Sequence, residues 1–465
     1  MKLTEAGKIY CVGIGGIGVA AIARILKSQG REVAGSDLRQ SQVTDSLKNF
    51  GIQVFIGHKD EQLKDFDPDI VVYSQDVSES SAGFGEIQMA KQLNIPLITQ
   101  AQAVGALMEG KYGVAVTGTN GKSTTTAILG LIMEQAGTDP SVLVGTMLSL
   151  ENESERFRAN ARAGKGKYVV AESDEYHRKM LENQPQMIII TNIAEDHLDY
   201  YKNLADIKEA FAEYIQSLPT DGILIYNADD HNTIEVCRAA ACHKFTFGIK
   251  HYADLQALNV KTENAKQFFD MHLNDEKIGS FELLVPGQFN IANALAASLA
   301  ALKLGAPIDA IQKTLAQFAG TWRRFEAVGK LDGKPVISDY AHHPAGVEAT
   351  IKAVAEFYPG KKVLTVFQPH HRNRTQKLFG EFVSSLLGVE EVIIPEIFDV
   401  TGREHGERIS SFQLVDELRK QGVNASFAPD LAQAGEMIKQ KSAQFDIILM
   451  MGAGDIDSLA RKLVS

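Results

Sequence analysis

At 465 residues the chain is larger than one hydrophobic core ordinarily supports, and about 150 residues per domain gives roughly three domains. Its 45% apolar and 23% charged composition is that of an ordinary globular protein and excludes disordered and fibrous classes. The net charge of -11, from 47 basic and 58 acidic side chains, argues against a nucleic-acid partner.

The N-terminus "MKLTEAGKIYCVG" lacks the basic region and apolar core of a signal peptide. No apolar run approaches the roughly 18 residues that a membrane span needs. These features predict a cytoplasmic protein with no membrane partner. Cys11, Cys237 and Cys242 are too few and too scattered for a disulfide framework and read as reduced thiols.

In chain order, strand-like apolar runs alternate with helical periodicity, which predicts the α/β class with helices wound on parallel sheets. The pattern restarts twice and predicts three domains, over 1–108, 109–320 and 321–465. The first block opens with "IYCVGIGGIGVAAIARIL", a strand that ends in Gly13-x-Gly15-x-x-Gly18 and opens a helix. Asp37 closes the next strand, "EVAGSD", about twenty residues on, as in a dinucleotide fingerprint. Such a turn binds any diphosphate, so a nicotinamide dehydrogenase stays open on this evidence alone. "QVFIG", "DIVVYS" and "IPLIT" read as further strands, and "EGKYG" (Glu109 to Gly113) as a linker.

The second block opens with "YGVAVTGTNGKSTTTAILG". Gly118 and Gly121 allow backbone angles that a Cβ would resist, so the N–H groups from Gly118 through Thr119 and Asn120 can wrap a phosphate. Lys122 would reach the terminal phosphates, and the hydroxyl of Ser123, with Thr124 beside it, would face a magnesium ion. The longer G-x-x-x-x-G-K-[ST] pattern is not met, because Val116 stands at its first position. Glu172 in "VVAESDE" and His197 in "NIAEDH" end later strands and are candidate metal ligands, the carboxylate being the commoner donor to magnesium. "GILIYNADD" reads as another strand and "NIANALAASLAALKLG" as a helix.

In the third block "SDYAHHP" ends a strand, with Pro344 suited to the first turn of a helix. It offers Asp339, His342 and His343. "FQPHHRNRT" ends another strand and offers His370, His371, Arg372 and Arg374, the arginines being natural partners for carboxylate or phosphate. Arg323 and Arg324 lie at the junction of the second and third blocks. "EEVIIPEI" and "FDIILMMGAGDI" complete the strands read here.

"GIGGIGVAAIA", "GTNGKSTTT", "AESDEY", "TNIAEDH", "WRRFEAVG", "SDYAHHP", "FQPHHRNRT" and "MGAGDI" follow one another in an order that resembles the Mur ligases, ATP-dependent amide-forming enzymes of cell-wall precursor synthesis. The resemblance spans nearly the whole chain, and within the family the motifs are most similar to those of members that join L-alanine to UDP-N-acetylmuramate. It implies a Rossmann-like N-terminal domain for UDP, a central P-loop ATPase-like parallel sheet, and a Rossmann-like C-terminal domain that binds the amino acid. It implies ATP and Mg2+ as cofactors, small-molecule substrates, and a monomer or weak homodimer.

Residue by residue, the resemblance implies that Lys122 and Ser123 bind phosphates and magnesium, with Glu172 and His197 completing the metal sites. Asn290 and Asn293 would lie near the nucleotide, and Arg324 and Asp339 would act from the closing domain. Gly13, Gly15, Gly16, Gly18, Asp37 and Ser74 would surround the UDP moiety. His371, Arg372 and Arg374 would face the amino acid, and His342 or His343 would orient its amine or take its proton. Asn120 and His371 stand where the L-alanine-joining members usually carry histidine and arginine, and Phe289 where histidine is usual. A relative that attaches a preformed peptide to the same sugar shares nearly every motif.

Overall fold

The computed structural model describes residues 2–148, 157–197, 200–399 and 409–465. The chain folds into two compact units, one of Met1–Val260, Phe268–Glu282 and Phe289–Phe318, the other of Lys261–Gln267, Leu283–Gln288 and Ala319–Ser465.

The first unit begins with a five-stranded sheet in the order Gln53–Ile56, Glu32–Asp37, Lys8–Val12, Ile70–Tyr73, Leu97–Thr99. All neighbours are parallel. The order reverses beside Lys8–Val12, and a ligand crevice belongs at that switch point. The helix Ile17–Ser28 starts directly after the glycine turn and buries Val19 through Leu26.

An eleven-stranded sheet follows. Its central strands run parallel in the order Ser141–Leu143, Tyr168–Glu172, Tyr112–Thr117, Met187–Ile190, Ile223–Asn227, His243–Gly248. Ser141–Leu143, Tyr168–Glu172, Tyr112–Thr117 and Met187–Ile190 are short apolar runs buried on both faces, which is why they lack alternation. The expected linker is shorter than Glu109–Gly113. The helix Gln100–Met108 ends just before it, and Tyr112 and Gly113 already belong to a strand.

The sheet is also not parallel throughout: Ala161–Arg162 pairs antiparallel with Ser141–Leu143 and with Phe157–Arg158. Three further strands, Leu255–Glu263, Lys266–Leu273 and Glu276–Leu283, extend its other edge. Their polar alternation and their left-handed Asn264, Ala265, Asn274 and Asp275 mark tight turns. The apolar-run criterion passed over this meander.

The third sheet has six strands, in the order Glu326–Leu331, Lys334–Asp339, Ile447–Met451, Val363–Phe367, Glu391–Pro395, Asn424–Ala428. Only the first pair is antiparallel. In "IILMM" Ile447, Leu449 and Met451 join one core with the helices Pro344–Phe357, Phe379–Leu386 and Ser411–Lys420, while Ile448 and Met450 join another with Leu431–Lys441 and Ile456–Val464. A period of two therefore assigns a wholly apolar strand to two cores. Each fully buried aliphatic side chain contributes about 1.5–3 kcal/mol, so covering both faces is what holds the sheet. Among the described residues no helix is long and apolar enough to cross a membrane.

Candidate functional site

The strand Tyr112–Thr117 delivers the chain into the Gly118–Gly121 turn, and the helix Lys122–Gln135 leaves it. Gly118 has φ +127, and a Cβ there would lie 2.2 Å from Thr191 Oγ1. Gly121 has φ +87, and a Cβ would lie 2.3 Å from Asn293 Oδ1. Both glycines are thus required by conformation and by space.

The turn is tied to the end of the neighbouring strand. Thr119 N donates to Asn192 O at 2.9 Å, Asn120 N to Asn192 Oδ1 at 3.0 Å, and Thr191 Oγ1 to Asn120 O at 2.6 Å. Asn120 is therefore held chiefly through its main chain. From the helix Gln288–Lys303, Asn293 donates to Asn290 Oδ1 at 3.3 Å and accepts from Thr125 Oγ1 at 3.4 Å. Both asparagines thereby come to the phosphate-loop helix. Phe289, one position earlier, is 42% exposed.

Lys122 Nζ donates to Gly118 O at 2.6 Å and to Thr119 O at 3.2 Å, and lies 2.8 Å from Glu175 Oε2. Burial alone would lower the pKa of the ammonium, but Glu175, Asp174 and Glu172 together raise it. Burial in turn pushes the Glu175 carboxyl up, against the opposing pull of Lys122.

Ser123 Oγ donates to Glu172 Oε1 at 3.1 Å, and Gly145 N donates to Glu172 Oε2 at 2.7 Å. A hydroxyl and a carboxylate side by side are hard oxygen donors suited to magnesium. His197 gathers elsewhere: its Nε2 lies 3.8 Å from Glu175 Oε1, and Asp174, Glu175 and His197 bring ligand atoms within 4.8 Å of one another. The ring of His197 stacks on Tyr176 at 4.4 Å. Sequence reasoning singled out Glu172 and missed Asp174 and Glu175, two and three residues on in the same "ESDE"; their acidity was the available signal, but nothing in the spacing said which carboxylate turns inward.

At the first glycine turn Gly13 has φ +76, Gly15 N donates to Asp37 Oδ2 at 2.8 Å, and Gly16 caps the helix that includes Gly18. Ser74 adjoins Gly13, its Cβ 3.5 Å from where a Cβ on the glycine would stand. Behind the turn lies a polar cluster that the sequence did not reveal. Buried Glu86 accepts from Tyr10 OH at 3.0 Å and contacts His58 Nδ1 at 2.9 Å, with Ser36 Oγ on the same carboxylate. Burial, reinforced by the Glu86 charge, raises the Tyr10 phenol.

In the second unit, apart from Arg323 and Arg324, the remaining candidates follow the ends of the strands Lys334–Asp339 and Val363–Phe367, which flank Ile447–Met451 in the sheet. Asp339 accepts from Phe325 N and Ala341 N, each at 2.8 Å, and from Thr350 Oγ1 at 3.2 Å. Burial raises its pKa while Arg324 opposes the rise. Arg324 lies over the Tyr340 ring at 4.7 Å, and Arg323 donates to Gly452 O and Gly454 O at 2.8 and 2.7 Å. His342 Nδ1 donates to Tyr340 O at 2.9 Å, which leaves Nε2 as the acceptor of the neutral ring. His343 caps the helix Pro344–Phe357, with proline in its first turn.

His371 caps Arg372–Lys377 with φ +68. Arg372 is held by Asp399 at 2.9 Å and Glu396 at 3.4 Å, so its guanidinium already has carboxylate partners. The ring of His370 stacks on Phe398 at 5.4 Å. Burial, then the charges of His371, His342, Arg374 and Arg323, lower its pKa to about 2.

The unfolded chain therefore binds a proton near pH 6.5 that the folded chain refuses. His370 contributes stability above pH 6.5 that is lost as pH falls toward 2, at up to about 1.4 kcal/mol per pH unit. Unfolding followed from pH 7 to 5 should show a smaller acid loss in His370→Asn than in the parent; equal slopes would contradict a neutral buried ring.

Three family models match the chain: "Mur ligase family, catalytic domain" over residues 8–112, "Mur ligase middle domain" over 116–301, and "Mur ligase, glutamate ligase domain" over 323–454. The chain is similar to the UDP-N-acetylmuramate--L-alanine ligase of Clostridium novyi, 38% identical over 450 residues that cover 97% of this chain and 95% of the relative. It is equally similar to the enzyme of that name from Clostridium acetobutylicum, 38% identical over 467 residues with 100% and 99% coverage. Among solved structures, the UDP-N-acetylmuramate-alanine ligase of Thermotoga maritima superposes with a TM-score of 0.83 at 28% identity, covering 98% of each chain. A murein peptide ligase from Psychrobacter arcticus shares the fold, with a TM-score of 0.72 at 21% identity over 98% of each chain.

Proposed function

The chain belongs to the Mur ligase family, and on that premise we propose that it joins L-alanine to the lactyl carboxylate of UDP-N-acetylmuramate at the expense of ATP. It is then an ADP-forming acid–amino-acid ligase of peptidoglycan precursor synthesis, acting in the cytoplasm on small-molecule substrates. The observation that carries this reading is end-to-end similarity to L-alanine ligases, together with a phosphate loop whose glycines, lysine and serine are all present.

The chemistry requires that division of labour. A carboxylate and an ammonium ion do not condense in water, so the carboxylate must be activated first. The lactyl carboxylate oxygen attacks the γ-phosphorus of ATP, the bond to the β-bridging oxygen breaks, and acyl phosphate and ADP result. Lys122 neutralises charge that develops on the transferring group. Ser123 and Glu172 would hold magnesium, which supplies further charge neutralisation at the phosphates when bound, whereas His197 gathers with Asp174 and Glu175. The neutral amine of alanine then attacks the acyl carbon and expels phosphate, while His342 Nε2 or His343 takes the amine proton.

Segment 1–108 would bind the UDP moiety through Gly13, Gly15, Gly16, Gly18, Asp37 and Ser74, and 109–320 would bind ATP through the phosphate loop, Asn290 and Asn293. Segment 321–465 would bind alanine through His371, Arg372 and Arg374 and supply Arg324 and Asp339. The test is phosphate release from ATP with magnesium and UDP-N-acetylmuramate, with L-alanine and a cell-wall tripeptide supplied in separate reactions and product masses read. Release and a UDP-N-acetylmuramoyl-alanine mass with L-alanine are expected. Exclusive use of the tripeptide would move the chain to peptide recycling, and release with neither would refute the proposal.

A further inference from the structure

Glu175 has no role in the chemistry above, yet it is the carboxylate nearest the phosphate-loop lysine. We propose that Glu175 is a positioning residue for Lys122, a built-in anion that holds the ammonium within the loop and that an incoming polyphosphate must displace. The proposal rests on reading the loop as an ATP site.

Three observations carry it. An ammonium has three protons, and Lys122 Nζ directs them to Gly118 O at 2.6 Å, Thr119 O at 3.2 Å and Glu175 Oε1 at 3.0 Å. The set is complete, so a phosphate oxygen that accepts a hydrogen bond from Nζ replaces one of these acceptors. The two carbonyls belong to the turn itself; Glu175 is the partner that can be exchanged. Burial is the second observation: the side chains of Lys122 and Glu175 are 14% and 3% exposed, so each charge depends on the other.

The third is the backbone. His177 and Arg178 both adopt φ +55, a left-handed pair without glycine that is strained and persists only where the surroundings hold it. That bend is pinned from outside, because the Arg178 guanidinium binds Asp206 at 3.0 Å and Glu213 at 2.6 Å. Tyr201 OH fastens the main-chain oxygen of Glu175 itself. The segment is thus over-determined in a conformation that turns Glu175 onto Lys122. Glu172 is not an equivalent partner, since it is occupied by Ser123 Oγ and Gly145 N.

A polyphosphate brings negative charge beside a buried carboxylate and competes with it for one ammonium. Glu175 therefore sets the affinity of the loop through Lys122, and its removal has a signature opposite to structural damage. Calorimetric titration with MgATP should show Glu175→Gln binding about tenfold more tightly than the parent, since Lys122 then gives up a neutral amide instead of a charge-assisted carboxylate partner when it turns to the phosphate. UDP-N-acetylmuramate, titrated in parallel, should bind unchanged. In a Lys122→Gln background the same substitution should shift ATP affinity less than about twofold, because additivity fails where one residue acts through another.

Equal or weaker ATP binding by a Glu175→Gln protein that retains its circular dichroism and sugar affinity would overturn the proposal. An equal shift in both backgrounds would also overturn it, by showing repulsion that bypasses Lys122. If Glu175→Gln does not fold, Glu175→Asp, whose shorter arm draws the charge back, should tighten ATP binding by a smaller factor, and no tightening would refute the idea. A parent protein that turns over but gains no affinity on these substitutions condemns the proposal alone; one that binds no ATP condemns the reading of the loop as well.

Discussion

Replacing Lys122 by alanine is expected to reduce kcat by about a thousandfold or more, the scale seen when a preorganised charge at a transferring phosphoryl group is removed. UDP-N-acetylmuramate should remain bound with an affinity within about twofold, because its ligands are expected in 1–108, and residues without shared partners act nearly additively. The substitution also strands Glu175, whose side chain is 3% exposed. An unpaired buried carboxylate destabilises by about 3–5 kcal/mol, so kinetics belong well below the lowered Tm. Turnover within tenfold of the parent would remove Lys122 from the chemistry. Loss of sugar binding in a folded variant would contradict separate sites for the two nucleotides.

Asp339→Ala should be the most damaging single change in the second unit. The carboxylate satisfies Phe325 N, Ala341 N and the hydroxyl of Thr350 in a buried setting. Its removal orphans these donors at about 1–3 kcal/mol each, and a loss of about 3–5 kcal/mol is expected once the site relaxes. Thr350→Ala removes one donor with its own group and should cost only about 1 kcal/mol. Denaturant unfolding of both variants distinguishes a structural hub from a surface acid: a difference below about 1 kcal/mol between them would refute the hub. Because Asp339 also fixes the start of the loop that carries His342, turnover should fall in the same variant even at temperatures where it is folded.

The parts of the molecule legible in its sequence are those fixed by local geometry. Gly118 and Gly121 announce themselves because no other residue fits the angles and spaces they occupy. Pro344 announces a helix start, and strands such as "MIII" and "IILMM" announce burial on both faces. The meander Leu255–Leu283 escaped notice because a strand edge with one wet face carries little apolar signal. Glu326–Leu331 and Asn424–Ala428 lie at the two edges of the third sheet and escaped for the same reason.

Within the candidate site, the residues found at strand ends were the foreseeable ones. The pairing of Lys122 with Glu175 was not, since it depends on the left-handed bend at His177 and Arg178, which no glycine announces. The cluster of Tyr10, Ser36, His58 and Glu86 joins two strands, a loop and a helix, and no spacing in the sequence encodes such a meeting.

The most direct test of acyl transfer to L-alanine is to follow oxygen. UDP-N-acetylmuramate labelled with 18O in both lactyl carboxylate oxygens is incubated with the protein, ATP, magnesium and L-alanine, and the masses of product and phosphate are read. Activation through an acyl phosphate predicts one 18O in the released phosphate and one retained in the amide carbonyl of UDP-N-acetylmuramoyl-alanine. Unlabelled phosphate, or labelled phosphate without the alanine adduct, would contradict it.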